Sequence, residues 1–155
     1  METQIKDIMT KTLIAVPMGS PVAAAAELMK EKRIRHLPVV DDMDVIIGII
    51  SKRDFTLLEN LEQIPVEQVM SSPLYYIDQD TPLRSAIFKM LEHKISSLLI
   101  SDENDDAVGI VTTDDLLGYL VQLLDKMSKD KSSALSLLDT QTLGEVARQL
   151  SLAGI

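Results

Sequence analysis

Gly48-Ile49-Ile50-Ser51-Lys52-Arg53-Asp54 and Gly109-Ile110-Val111-Thr112-Thr113-Asp114-Asp115 are two copies of one pattern. Each follows an apolar run, Val45-Ile46-Ile47 or Ala107-Val108, and precedes a helical pattern that opens at Phe55 or Leu116. Each therefore reads as strand, glycine, hydroxyl, carboxylate and helix. That order can hold a nucleotide, because amides at a helix start favour an anion and a carboxylate offers acceptors to a vicinal diol. The same Ser/Thr-x-x-Asp spacing is also a capping box, in which the hydroxyl and the acid satisfy helix-start amides reciprocally. The cap accounts for the helix start, but not for a glycine at the same place in both copies.

An offset of 61 residues carries Asp54 to Asp115 and Gly48 to Gly109, and without a gap also Met9 to Met70, Pro21 to Pro82, Ala25 to Ala86, Met29 to Met90 and Ile34 to Ile95. The chain is a tandem duplication, and the repeat has to be recognised before the fold is argued. Leu13-Ile14-Ala15-Val16 and Leu74-Tyr75-Tyr76-Ile77 read as first strands. Ser20-Pro21 and Thr81-Pro82 read as helix starts, with the hydroxyl residue at the N-cap and proline one position inside. Leu37-Pro38-Val39-Val40 and Leu98-Leu99-Ile100 then pair with the strands that end at Ile50 and Val111, across acidic turns. Each repeat is strand, helix, strand, strand, helix. The division expected is 1–61 for the first repeat with its linker, 62–127 for the second, and 128–155 for a linker and an amphipathic helical tail.

The chain has 155 residues, 46% hydrophobic and 25% charged, the balance of an ordinary globular protein. A net charge of -9 disfavours non-specific attraction to the polyphosphate backbones of nucleic acids, and 3% aromatics without tryptophan leave little for a base-stacking surface. Without cysteine there is no disulfide framework and no thiolate metal site. The two histidines, His36 and His93, come from different contexts. Asp102 to Asp106 looks superficially like a calcium loop, yet Ala107 stands where such a loop needs glycine, so a hairpin turn is expected and no metal. No apolar run approaches the ~20 residues that span a bilayer, and the amino terminus lacks a basic stretch followed by an apolar one. A cytoplasmic location is expected, with no nucleic acid partner and no membrane insertion. In the tail, Leu143, Val146, Ala147 and Leu150 fall at helical spacing. The chain ends too soon after them for a DNA-recognition helix, so dimer packing or partner docking is the expected role.

Over residues 5 to 120 the chain resembles the paired cystathionine β-synthase (CBS) domain module. The resemblance rests on the two glycine–hydroxyl–aspartate stretches, on the Ser/Thr-Pro helix starts and on Arg35-His36-Leu37-Pro38-Val39-Val40-Asp41. It implies an α/β fold of two repeats related by pseudo-twofold symmetry. It also implies a regulatory ligand, an adenine nucleotide (AMP, ADP or ATP) or S-adenosylmethionine, with the aspartate on the ribose hydroxyls and the Ser or Thr on phosphate. Such modules bind in clefts between repeats, so the resemblance implies one site from Thr112 and Asp115 with Ile34, Arg35, His36, Pro38 and the region of Met18. The other would join Ser51, Arg53 and Asp54 to Ile95, Ser96, Ser97 and Leu98. Asp114 stands where the first repeat has Arg53, and Leu99 where it has Pro38.

The expected function is a stand-alone regulatory module, a homodimer that senses an adenosyl small molecule and acts on a separate protein. The alternative is a dimerisation or interaction scaffold whose nucleotide sites are vestigial. An enzyme is not expected: there is no cysteine, no clustered histidine and no Walker-type phosphate loop, and a catalytic cofactor has nowhere evident to act.

Overall fold

The computed structural model describes residues 3–129 and Arg148. Apart from Arg148, the expected tail helix lies outside the described residues. Two three-stranded sheets carry the fold. In the first, β1 (Val16–Pro17) runs parallel to β2 (His36–Val40), which pairs antiparallel with β3 (Ile46–Ser51). In the second, β4 (Tyr76–Asp78), β5 (Ser97–Ser101) and β6 (Ala107–Thr112) follow the same order. Helices α1 (Val22–Lys32) and α3 (Leu83–His93) link the first two strands of each sheet, and α2 (Lys52–Phe55) and α4 (Thr113–Lys129) follow the last. Parallel neighbours need such a crossover, whereas antiparallel ones need only a hairpin. The hairpins turn on Asp41 and Asp102. Asp41 Oδ1 accepts from the amides of Met43 and Val45, and Asp102 Oδ1 from those of Asn104 and Asp106. The acidic run is thereby engaged as a turn.

The core of the first sheet joins Val22, Ala25 and Met29 of α1 to Leu37, Val39 and Ile50 of the strands, and Phe55 of α2 closes it. In the second sheet Ala86 and Met90 of α3 are buried, as are Leu98, Leu99, Ile100 and Val111. These are the apolar positions that repeat at the 61-residue offset. The expected strands near residues 13–16 and 74–77 are shorter than the apolar runs and begin later. Helix α2 lasts one turn, because the chain must bend back after Phe55 to bring the Leu61 carbonyl to the Ala23 amide. Asn60, with φ of 56°, makes part of that reversal.

The chain divides into two compact units: Thr12–Tyr76, and the amino-terminal segment through Lys11 together with the chain from Ile77 onward. The segment that leads the first repeat therefore completes the second sheet's unit, and its equivalent from the linker completes the first. A 3₁₀ turn at Ile5–Asp7 and one at Val66–Gln68 mark the two leaders. Ile5 and Val66 have no solvent exposure. The Ile5 amide donates to the Thr81 carbonyl at 2.9 Å, as the Val66 amide does to Ser20 at 2.9 Å.

These leaders correct the expected helix starts. Pro21 and Pro82, not Ser20 and Thr81, occupy the N-cap positions, and neither helix has a side-chain cap. Ser20 and Thr81 lend their carbonyls to the leaders instead. The orphan amides of the helix starts find backbone carbonyls: Val22 donates to Ile64 at 2.8 Å, Ala23 to Leu61 at 3.1 Å, and Leu83 to Thr3 at 2.9 Å. Ser20→Ala is accordingly expected to change stability by less than about 0.5 kcal/mol, whereas Ser51→Ala, which removes a formed cap, costs about 1 kcal/mol. Urea unfolding of the two variants checks this; equal losses would contradict it.

Candidate functional site

In the first unit β3 ends at Ser51 and α2 begins at Lys52. The Ser51 amide donates to Asp54 Oδ2 at 2.6 Å, and the Ser51 side chain accepts from the Asp54 amide, so the capping box is formed. His36 lies opposite Ser51 in the ladder, and the Lys52 amide donates to the Arg35 carbonyl at 2.9 Å. Arg35, His36, Ser51, Arg53 and Asp54 thus meet at one end of the first sheet. Ile34 precedes them, set by the left-handed Arg33 that ends α1 and by its own amide bond to the Met29 carbonyl.

The second unit repeats the arrangement. Ser97 lies opposite Thr112, the Thr113 amide donates to the Ser96 carbonyl at 3.1 Å, and Ile95 follows the left-handed Lys94. The Thr112 amide and Thr112 Oγ1 both donate to Asp115 Oδ2 at 2.7 Å. Thr10 Oγ1 donates to Asp115 Oδ1 at 3.4 Å. Asp115 is part-buried, so its carboxylate is held by its own chain and keeps further acceptor capacity on Oδ1.

The remaining expected residues divide. Pro38 and Leu98 are fully buried within their sheets, as core side chains. Met18 is exposed, but its amide donates to the Val40 carbonyl at 2.7 Å, which sets it at the far end of β2 from His36. Four residues of strand, roughly 13 Å, separate the two ends, so within its unit Met18 does not join Arg35 and His36. Thr10 is the site residue that sequence reasoning missed. Its signal was available, because Met9-Thr10 and Met70-Ser71 occupy equivalent places at the 61-residue offset.

The repeated glycine has a packing cause. A Cβ built on Gly48 would lie 2.2 Å from Met70 Sδ, and one on Gly109 2.9 Å from both Met9 Sδ and the Thr10 carbonyl oxygen. Each leader lays its methionine across the sheet glycine of its unit. Thr10 and Ile110 exchange backbone bonds at 2.9 and 3.0 Å, and Ser71 and Ile49 at 2.8 and 3.2 Å. The glycine admits the leader, and the hydroxyl and carboxylate three and six residues later are what remain for a ligand. Among the described residues no group of His, Asp or Glu is placed to hold a metal ion, and no helix is long and apolar enough to cross a membrane.

Comparison with known proteins agrees with this geometry. The CBS domain family matches residues 5–58 and 66–122. A homoserine O-acetyltransferase of Methanococcoides burtonii is 29% identical over 114 residues, which is 74% of this chain but 23% of the enzyme. The chain thus spans about a quarter of the length of the first curated relatives it matches. Among solved structures, an uncharacterized conserved protein from Pyrococcus horikoshii superposes with a TM-score of 0.69 at 35% identity, covering 77% of this chain and 92% of that one. The CBS domain pair of protein MJ0100, solved in complex with 5′-methylthioadenosine and S-adenosyl-L-methionine, gives a TM-score of 0.70 at 28% identity, covering 79% of this chain and 98% of that pair. With both repeats matched, and each sheet ending in the same hydroxyl–carboxylate turn, the chain belongs to the CBS domain family.

Proposed function

We propose that this chain is a regulatory module that takes an adenosyl ligand at its Ser51–Asp54 and Thr112–Asp115 turns and passes occupancy to another protein. The observation that carries the reading is the pair of fixed carboxylates. Each is held by the amide three residues before it, and a carboxylate has acceptors beyond that one bond. A ribose diol is the matching donor pair. Methylthioadenosine and S-adenosylmethionine, the ligands of a related CBS pair, both carry such a diol; so do AMP, ADP and ATP. Regulation follows if the ligand binds one conformation better than another. The module acts on a separate protein as a cytoplasmic homodimer, and supplies no catalysis of its own.

Calorimetric titration of the full chain with AMP, ADP, ATP, methylthioadenosine and S-adenosylmethionine tests the reading. Loss of hydrogen bonds to an ionised acceptor predicts about 10- to 100-fold weaker binding in Asp54→Ala or Asp115→Ala, each at its own turn. If none of the five binds, and none raises the melting temperature, the reading fails.

One observation favours the scaffold reading beside it. Leu117, Leu120, Val121 and Leu124 recur at helical spacing along α4 and are 43–57% exposed. On that reading Leu120→Glu weakens self-association, while Asp54→Ala and Asp115→Ala leave it unchanged.

A further inference from the structure

The amino-terminal leader touches α4 through two hydroxyls. Thr10 Oγ1 donates to Asp115 Oδ1 at 3.4 Å, and Thr3 Oγ1 meets the Tyr119 hydroxyl at 2.9 Å. Asp115 and Tyr119 stand four residues apart on α4, so both ties fall on one side of the helix. The 61-residue offset carries Thr3 to Ile64 and Tyr119 to Leu58, which have no hydroxyls. The second tie is therefore particular to this unit.

The first tie is incomplete. A separation of 3.4 Å is beyond the usual range for a hydroxyl hydrogen bond, so the contact holds the leader weakly. The Thr10 backbone is nonetheless fixed, because its amide and carbonyl both bond Ile110. Thr10 is exposed and Asp115 beside it is half-buried, so a ligand can reach both. The Thr10 hydroxyl gives its proton toward Asp115 and keeps its lone pairs, and Asp115 Oδ1 has room to accept again. Two acceptors at this separation match hydroxyls on adjacent carbons. One hydroxyl of a diol can donate to each.

We infer that Thr10 is the second acceptor for the ligand's diol beside Asp115, and that a bound adenosyl ligand thereby fastens the leader to α4. This rests on the proposed adenosyl-binding role, which supplies the ligand; Thr10 couples its occupancy to the leader. A ligand that bonds leader and helix together is held more tightly when the leader is docked. By reciprocity it holds the leader down.

The test uses the full chain carrying Asp54→Ala, so that heat reports on the Thr112–Asp115 turn, with Asp54→Ala/Asp115→Ala as the blank. Methylthioadenosine and its 2′-deoxy and 3′-deoxy forms are the probes. Thr10→Val keeps the branched shape and removes the hydroxyl; it is expected to weaken methylthioadenosine about fivefold or more, and Thr10→Ser to restore it. For one of the two deoxy forms the Thr10→Val penalty is expected to vanish, and its retained binding shows that the variant is folded. Saturating methylthioadenosine is expected to slow hydrogen exchange at the Leu83 and Ile110 amides, with loss of that protection in Thr10→Val at equal occupancy. Tyr119→Phe, which cuts only the tie to Thr3, is expected to weaken methylthioadenosine about twofold. A Thr10→Val penalty that is absent, or equal for all three compounds, overturns the inference while the adenosyl role stands. Unchanged affinity in Tyr119→Phe overturns the coupling. Failure of methylthioadenosine to bind the Asp54→Ala chain overturns the inference, and failure of all five adenosyl compounds on the unsubstituted chain overturns the adenosyl role as well.

Discussion

Ile5→Asp is expected to cost about 4 kcal/mol or more and to detach the amino-terminal leader from its unit. Ile5 has no solvent exposure, so the change removes a buried apolar side chain and leaves an unpaired charge in its place. The leader also supplies the carbonyl for the Leu83 amide at the start of α3, and it exchanges both bonds of the Thr10–Ile110 bridge. Hydrogen exchange at Leu83 and Ile110 should accelerate together, and the melting temperature should fall. The neighbouring Lys6→Ala is the control. Lys6 donates to the Asp80 carboxylate, and that bond raises the ammonium above its ordinary range. Both groups lie at the surface, however, where such pairs contribute little. Its melting temperature should scarcely move. If Leu83 and Ile110 keep their protection in Ile5→Asp, the leader is an ornament of the unit and not part of it.

The exchange of leaders is also what the sequence conceals. Duplication made the strand and helix grammar, the acidic hairpins, the core positions and the paired turns legible, because each rests on local spacing seen twice. The same duplication hides the pairing of leader and sheet. Met9 and Met70 are equivalent by construction, and so are Gly48 and Gly109, so either methionine suits either glycine by residue type. Only the three-dimensional assignment of Ile5–Thr10 to the second sheet separates the two possibilities. Ser20 and Thr81 show a related limit. Both are good N-cap residues, yet distant backbone reaches the helix amides first, and the side-chain signal goes unused. At Ser51 no such segment intervenes, and the local signal is realised as a formed cap.

The two sheet glycines should respond differently to one added methyl group. Gly48→Ala places a Cβ closest to Met70, whose Sδ, Cγ and Cβ are its three nearest atoms, with Cγ at 2.7 Å and Cβ at 3.1 Å. Sδ and Cγ belong to a flexible side chain and can be moved aside, while the Met70 Cβ is tight but not in outright conflict. Gly109→Ala meets the Thr10 carbonyl oxygen as well as Met9. That oxygen accepts from the Ile110 amide at 3.0 Å, so it cannot retreat without breaking the bridge that anchors the leader. Overpacking at either site costs about 1–3 kcal/mol, with Gly109 at the upper end because a backbone bond is lost with the space. Double-mutant cycles separate the two cases. Met70→Ala should recover about 1 kcal/mol or more of the Gly48→Ala penalty, since it removes Sδ and Cγ, the two nearest atoms. Met9→Ala should recover little of the Gly109→Ala penalty, since the carbonyl remains. Denaturant unfolding of the six variants measures both couplings. Equal recovery at the two sites would mean that the Thr10 backbone yields as readily as a methionine side chain. The close approach of the leader at Gly109, and its hold beside Asp115, would then have to be abandoned.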